Sequence, residues 1–452
     1  MAETLLMKNV KYLVTCDDND RFMTDINMLV TDGVITYIGT EEKTADKIID
    51  ASRMVVYPGL INSHHHLYQT FTRNLPQVQN MELFPWLKTL YEIWKGIDGD
   101  SVYYSSLTGM GELLKTGCTT CLDHHYVFPE HSAGALLDAQ FAAADALGIR
   151  MAATRGSMDL SVKDGGLPPD SVVQTIDEIL RDSQAVVEKY HDSSRYSMHT
   201  VALALFAVQR DRRSLKRISG SGPQPGSPLH THLAETKDEE AFTLEHYGMR
   251  PLAYMESLGW IGDDVWYAHG IHFNTEELEL LAATGTGVAH CPVSNMKLSS
   301  GIARIPEMLR MGVKTGLAVD GSASNDGSNM LEEMRVAYLL HRLNSSSEAP
   351  SGYDILKMAS RGSASILGRE ELGYLAEGMA ADFFAISLDR IELVGGQYDP
   401  KSLLSCIGFK GAVDYTVVNG KVVVEQGRLV NVEEEKIVSK ANAAVEKLLN
   451  IK

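Results

Sequence analysis

The first 57 residues read as short β-hairpins. Met28-Leu29-Val30 runs into Thr31-Asp32-Gly33 and continues as Val34-Ile35-Thr36-Tyr37-Ile38. Asp-Gly between two β-rich runs predicts a tight turn. The same pattern returns near the other end, where Asn419-Gly420 separates Tyr415-Thr416-Val417-Val418 from Lys421-Val422-Val423-Val424. β segments at opposite ends of a chain can pair. Residues 1–57 and 372–452 are therefore expected to form one small discontinuous β-sandwich module, with the rest of the chain inserted. Between about 58 and 371 the rhythm changes. Short apolar runs such as Thr119-Thr120-Cys121-Leu122, Val265-Trp266-Tyr267-Ala268, Gly287-Val288-Ala289 and Thr315-Gly316-Leu317-Ala318-Val319 each precede a polar loop and a helical stretch. Repeated β-loop-α units over this length predict an α/β fold, a (β/α)₈ TIM-type barrel. Ile437, Val438, Ala441, Ala444, Val445, Leu448 and Leu449 fall at helical spacing, so Val432 to Leu449 is expected to be a helix packed on the body. Glu433-Glu434-Glu435-Lys436 reads as its solvated start.

Composition narrows the partners. The 452 residues carry a formal net charge of −18, which repels phosphate backbones and argues against nucleic acid. Met1 to Tyr12 lacks a basic leader followed by an apolar core, and no apolar run reaches membrane-spanning length. Five scattered cysteines point to a reducing, cytoplasmic setting rather than a disulfide framework. Cys118 and Cys121 have the spacing of a redox motif, but they enter a strand without a second pair and read as packing.

Histidines mark the ends of the predicted strands. In Pro58-Gly59-Leu60-Ile61-Asn62-Ser63-His64-His65-His66, residues two apart share a face, so His64 and His66 point together and His65 points away. Three consecutive histidines could be an expression tag, but this run is internal and follows an apolar strand. Leu229-His230-Thr231-His232-Leu233-Ala234-Glu235 repeats the pattern, with a carboxylate three residues after the second histidine. His269, His290 and Asp320 follow further apolar runs. Any one histidine is better read as a packing or surface group. An ordered set at successive strand ends converges on the C-terminal face of a barrel and fits zinc, which takes nitrogen and oxygen ligands and leaves a position for water. His124 and His125 also end a strand, and one of them could face the pocket.

Pro58 to His66, His232 to Glu235, His269, His290 to Asn295 and Val319-Asp320-Gly321 together resemble the cytosine-deaminase-like branch of the amidohydrolase superfamily, over nearly the whole chain. His64 to Arg73, Glu82 to Leu87, Gly165 to Pro169 and Ala318 to Gly327 are similar in particular to 8-oxoguanine deaminases. The resemblance implies zinc ligands His64, His66, His232 and Asp320. It implies Asp320 as acceptor of the proton of the attacking water, Glu235 as the shuttle that protonates a ring nitrogen, and His269 as hydrogen-bonding the attacking hydroxide or tetrahedral intermediate. Ammonia then leaves, and 8-oxoguanine would give urate. Two-metal relatives carry a lysine at the end of the fourth strand, and His199 to Phe206 has none, so one metal is expected. The unrelated cytidine deaminases use H-x-E with P-C-x-x-C, and neither motif occurs. Gln69, Arg73, Trp86 and Arg155 are candidate contacts for a purine-like small molecule, with structural roles as open for each. Guanine, isocytosine, an adenosine derivative and a hydroxylated triazine stay open as substrates, as does a homo-oligomeric state. A non-catalytic barrel scaffold is the rival from another class, and the complete ligand set argues against it.

One stretch departs from the family. Where relatives have a Ser-Pro-Phe-Ser-like turn after the fourth strand, this chain has Leu205-Phe206-Ala207-Val208-Gln209-Arg210, then a basic cluster and a Gly/Pro-rich run to Pro228. One coding of Leu205 to Arg210, read one nucleotide later, gives Ser-Ser-Pro-Phe-Ser. A compensated local frameshift across Leu205 to Pro228 is therefore expected, ahead of a natural variable loop.

Overall fold

The computed structural model describes residues 3–130, 135–204 and 227–450. The chain begins with β1 (Thr4–Val14), β2 (Phe22–Thr31), β3 (Val34–Gly39), β4 (Lys47–Asp50) and β5 (Met54–Pro58). The predicted Asp32-Gly33 turn joins β2 to β3 with Thr31 opposite Val34. Both turn residues have positive φ, 48° and 81°, as a two-residue hairpin needs to follow the strand twist.

The chain then enters a second, all-parallel sheet of eight strands. These are β6 (Leu60–Asn62), β7 (Cys118–His125), β8 (Arg150–Arg155), β9 (His199–Ala204), β10 (Leu229–Leu233), β11 (Val265–His269), β12 (Gly287–His290) and β13 (Thr315–Leu317), paired in sequence order. The first and last strands meet through Ser63 N–H to Leu317 O (3.4 Å) and Asp320 N–H to His64 O (3.1 Å). The sheet is thus a (β/α)₈ barrel. Its interior is filled by Ile61, Leu122, Ala152, Ala202, Trp266, Ala289 and Ala318, one apolar cluster contributed from around the ring. The apolar run Thr315–Val319 is only partly strand. Val319 N–H is diverted to Asn62 Oδ1 at 3.0 Å, and Asp320 turns to φ 61°.

The last strands, β14 (Phe383–Ser387), β15 (Tyr415–Val418), β16 (Lys421–Glu425) and β17 (Arg428–Leu429), return to the first sheet. Antiparallel pairing of β14 with β5 joins the two chain ends into nine strands. The two predicted hairpin turns touch: a Cβ on Gly33 would lie 2.6 Å from Asn419 Oδ1. The module is tied to the barrel by a buried ion pair. Arg150 of β8 donates through Nε and Nη2 to Asp382 at 2.6 and 3.1 Å, through Nη1 to Tyr196 O and Ser197 O, and through Nη2 to Asn419 Oδ1.

The predicted terminal helix spans Glu434–Leu449. It is held to the helix Gly99–Lys115 and its Asp98 cap by Lys115 to Glu434 (2.8 Å) and Lys447 to Asp98 (2.7 Å). Cys118 and Cys121 are buried and unbridged, and burial pushes the Cys118 thiol up to about 12, as packing residues would behave. No helix among the described residues is long and apolar enough to cross a membrane. Strand β9 ends at Ala204 and β10 starts at Leu229, and all but the last two residues of the expected frameshift, Leu205 to Pro228, lie outside the described residues.

Candidate metal centre and active site

Each predicted metal-binding or catalytic residue stands at or just past the C-terminal end of a barrel strand. His64 and His66 lie two and four residues beyond β6, and His66 caps a 3-10 turn, Leu67–Thr72. His65 points away, as its position requires, and bonds Ser328 Oγ at 3.0 Å. His232 lies on β10, with Glu235 in the loop that follows. His269 ends β11 and Asp320 follows β13. His269 (φ 74°) and Asp320 (φ 61°) hold left-handed backbone conformations, and so does Ala234 beside Glu235 (φ 54°). For residues with a Cβ this is strained, and such strain collects at functional sites. Gly321 follows Asp320 where Gln69 presses against the backbone: a Cβ there would lie 1.9 Å from Gln69 Oε1.

Hydrogen bonds decide which imidazole nitrogens carry protons. Trp266 O can only accept, so His230 Nδ1 is the donor of their 3.0 Å bond and its Nε2 is bare in the neutral ring. His64 Nδ1 therefore donates to His230 Nε2 at 2.8 Å, which leaves His64 Nε2 with a lone pair. His66 Nδ1 donates to His124 O at 2.7 Å, and its Nε2 is likewise left bare. These lone pairs converge. His64 Nε2 and His66 Nε2 lie 3.2 and 3.3 Å from Asp320 Oδ1, and His66 Nε2 lies 3.1 Å from His232 Nε2. Four ligands at about 2.0–2.1 Å in a tetrahedron stand about 3.3 Å from one another, so this donor set fits a zinc-sized ion. Buried His64 Nε2 has no hydrogen-bond partner among the described residues, a cost that a cation would remove. Burial pushes the pKa values of the His64 and His232 imidazoles well below their ordinary value, which favours the neutral form that a ligand needs.

Asp320 accepts from Ser294 Oγ (2.5 Å) and Ser324 Oγ (3.2 Å) on Oδ2, and from Gly321 N–H (2.7 Å) on Oδ1. Burial works against its charge. The neighbouring His269, His66 and His232 and the Ser294 hydroxyl outweigh that, so its carboxyl is held below the usual range. For Glu235, burial wins and raises the pKa against the pull of His269. Its Oε2 is 3.5 Å from His269 Nε2, and Ser300 Oγ lies 3.4 Å from its Oε1. His269 donates from Nδ1 to Asn295 Oδ1 at 2.8 Å. Burial opposes its protonation, but the Glu235 and Asp320 charges raise its pKa.

A cleft of about 630 Å³, counted out to its open mouth, lies over this centre. Its described lining includes Gln69 and Trp86, two of the candidate substrate contacts, together with Leu83, Phe84, Tyr126 and Leu298. Trp86 Nε1 and Gln69 Oε1 are buried and have no hydrogen-bond partner among the described residues. Arg73 and Arg155 are not in this lining. Arg73 turns its Nη2 to Glu112 (2.7 Å), Ser322 and Ser328 (both 3.0 Å). Arg155 is buried over the Phe128 ring and donates to Gly156 O and Gln174 Oε1. His290 pairs with His341 at 3.1 Å behind the site.

Two contributors, Ser294 and Glu239, went unnoticed in the sequence, and a third, His124, was expected only as a strand-end residue that could face the pocket. Ser294 carried no signal. Glu239 lines the cleft and accepts the Glu235 N–H at 3.0 Å. Its signal was the Thr-x-x-Glu spacing of a helix start, Thr236 to Glu239. His124 lies within ligand range of His64, His66 and His232.

Residues 55–423 match the amidohydrolase family. The chain is 42% identical to the 8-oxoguanine deaminase of Pseudomonas aeruginosa, over 93% of this chain and 94% of that one. It is 37% identical to the hydroxydechloroatrazine ethylaminohydrolase of Pseudomonas sp. (strain ADP), over 99% and 96%. Among solved structures, the atrazine chlorohydrolase of Arthrobacter aurescens TC1 complexed with zinc superimposes with a TM-score of 0.92 at 32% identity, covering 98% of this chain and 100% of that one. With the barrel and the histidine–aspartate cluster at its mouth, these likenesses establish that the chain belongs to the amidohydrolase family and is a hydrolase of carbon–nitrogen bonds.

Proposed function

We propose that the chain deaminates 8-oxoguanine to urate and ammonia, using one zinc ion held by His64, His66, His232 and Asp320. The observation that carries the metal reading is the convergence of two bare imidazole nitrogens and a carboxylate oxygen within 3.3 Å. An ion held there would supply Lewis acidity, lowering the pKa of water towards neutrality. Asp320, held ionised, accepts the proton of the attacking water and later returns it to the departing ammonia. Glu235, whose burial eases protonation, carries a proton to a ring nitrogen of the substrate. His269, oriented by Asn295, hydrogen-bonds the oxygen that attacks. Trp86 covers one part of a flat ring, and Gln69 reads a polar edge.

The substrate assignment is supported by the 42% identity to a deaminase of that name and by the placement of Gln69 and Trp86 in the lining of the cleft. A second reading, removal of an amino substituent from a hydroxylated triazine, is favoured by the 37% identity to an ethylaminohydrolase of that class. Amine release from a panel of purines, isocytosine, adenosine derivatives and hydroxytriazines, on zinc-loaded protein, separates the two.

A further inference from the structure

His124, the penultimate residue of β7, is fully buried, and neither of its ring nitrogens has a hydrogen-bond partner among the described residues. Its ring stacks on His232 at 4.8 Å and lies 5.4 Å from that of His66 and 5.7 Å from that of His64. A buried imidazole without partners is costly unless something else engages it. Ligand atoms of His64, His66, His124 and His232 all lie within 4.8 Å of one another. A second set, His64, His232, His269 and Asp320, meets the same criterion. To the shared His64 and His232 the first set adds His66, past β6, and His124 of β7, and the second adds His269 of β11 and Asp320, past β13.

We propose that His124 completes a second, all-imidazole position for a divalent transition-metal ion, displaced from the position that uses Asp320. The two positions exclude each other, because His64 Nδ1 is occupied by His230 and only its Nε2 can bind an ion. Four imidazoles suit Cu²⁺ and Ni²⁺ as well as Zn²⁺. An ion at this position lacks the Asp320 carboxylate, so it is held without the proton acceptor that hydrolysis needs. His124 thereby gives the site a competing, non-hydrolytic mode of metal occupancy. The inference rests on the ligand reading made above for His64, His66 and His232.

The test is metal binding by metal-free protein. Cu²⁺ added to the parent chain should give an electron paramagnetic resonance spectrum of four nitrogen donors, and H124N should give three. A spectrum unchanged by H124N overturns the proposal. In a D320N background, Zn²⁺ affinity should stay within tenfold of the parent's, and D320N/H124N should bind at least 100-fold more weakly than D320N. Equal affinity of D320N and D320N/H124N also overturns it. Circular dichroism establishes folding, and H124Q replaces H124N if the latter does not fold. A parent chain that binds neither ion defeats the ligand reading itself, a failure distinct from that of the His124 assignment.

Discussion

Replacing Glu235 by Gln removes one negative charge and keeps the size and shape of the side chain. The amide oxygen can still accept from Ser300, which lies 3.4 Å from Oε1. What is lost is the titratable proton and the anion 3.5 Å from His269 Nε2. Glu235 is not among the four proposed ligands, so the variant should retain metal at the parent's stoichiometry. A positioned acid or base contributes about 10²–10⁴-fold to a rate, or about 3–5 kcal/mol of activation free energy. The expected kcat/KM of Glu235→Gln is therefore lower by two to four decades. The charge of Glu235 helps raise the pKa of His269, so the same substitution should lower it, visible in the imidazole resonances. The assay is ammonia release at matched zinc content, with metal measured on the same samples. A metal-replete Glu235→Gln protein with near-parental turnover would remove Glu235 from the mechanism.

Further outcomes follow from other contacts. Arg150→Met leaves Asp382 buried as an unpaired charge between barrel and module, and breaking such a pair costs about 3–5 kcal/mol; an unchanged denaturant midpoint would contradict the role given to this pair. Burial raises the Glu239 carboxyl to about 7. Its contribution to stability is then fully present below the unfolded value near 4.5 and lost as pH rises through about 7, at most about 3 kcal/mol. Glu239→Gln cannot titrate, so its melting temperature should fall less than the parent's between pH 5 and 8; parallel curves would refute this. The compensated frameshift proposed for Leu205 to Pro228 is checked by resequencing: a family-like peptide in the shifted frame supports it, and its absence defeats it.

The reach of local pattern explains what the sequence disclosed. The period of two along an extended chain separates His64 and His66 from His65, and the structure turns the first two to Asp320 and the third to Ser328. Asp-Gly and Asn-Gly determine two hairpins, because their turns need positive φ at both central residues. Tertiary partners are invisible to such rules. Arg73 follows the first histidine motif closely, yet its guanidinium is claimed by Glu112, Ser322 and Ser328, residues far away in the chain. Arg155 is drawn away from the cleft by Gln174 and the Phe128 ring. His124 gains its neighbours only through the register of β7 in the closed barrel, and Ser294 reaches Asp320 only because the short helix Pro292–Lys297 after β12 packs beside it.

Zinc-dependent deamination of 8-oxoguanine is decided by one comparison on protein carrying one zinc ion per chain. Specificity constants are measured for amine release from 8-oxoguanine, guanine, isocytosine, an adenosine derivative and a hydroxylated triazine. The largest kcat/KM is expected for 8-oxoguanine, with urate as its product and loss of turnover when a chelator strips the metal. A larger specificity constant for the triazine or the nucleoside, or undiminished turnover in metal-free protein, would contradict it.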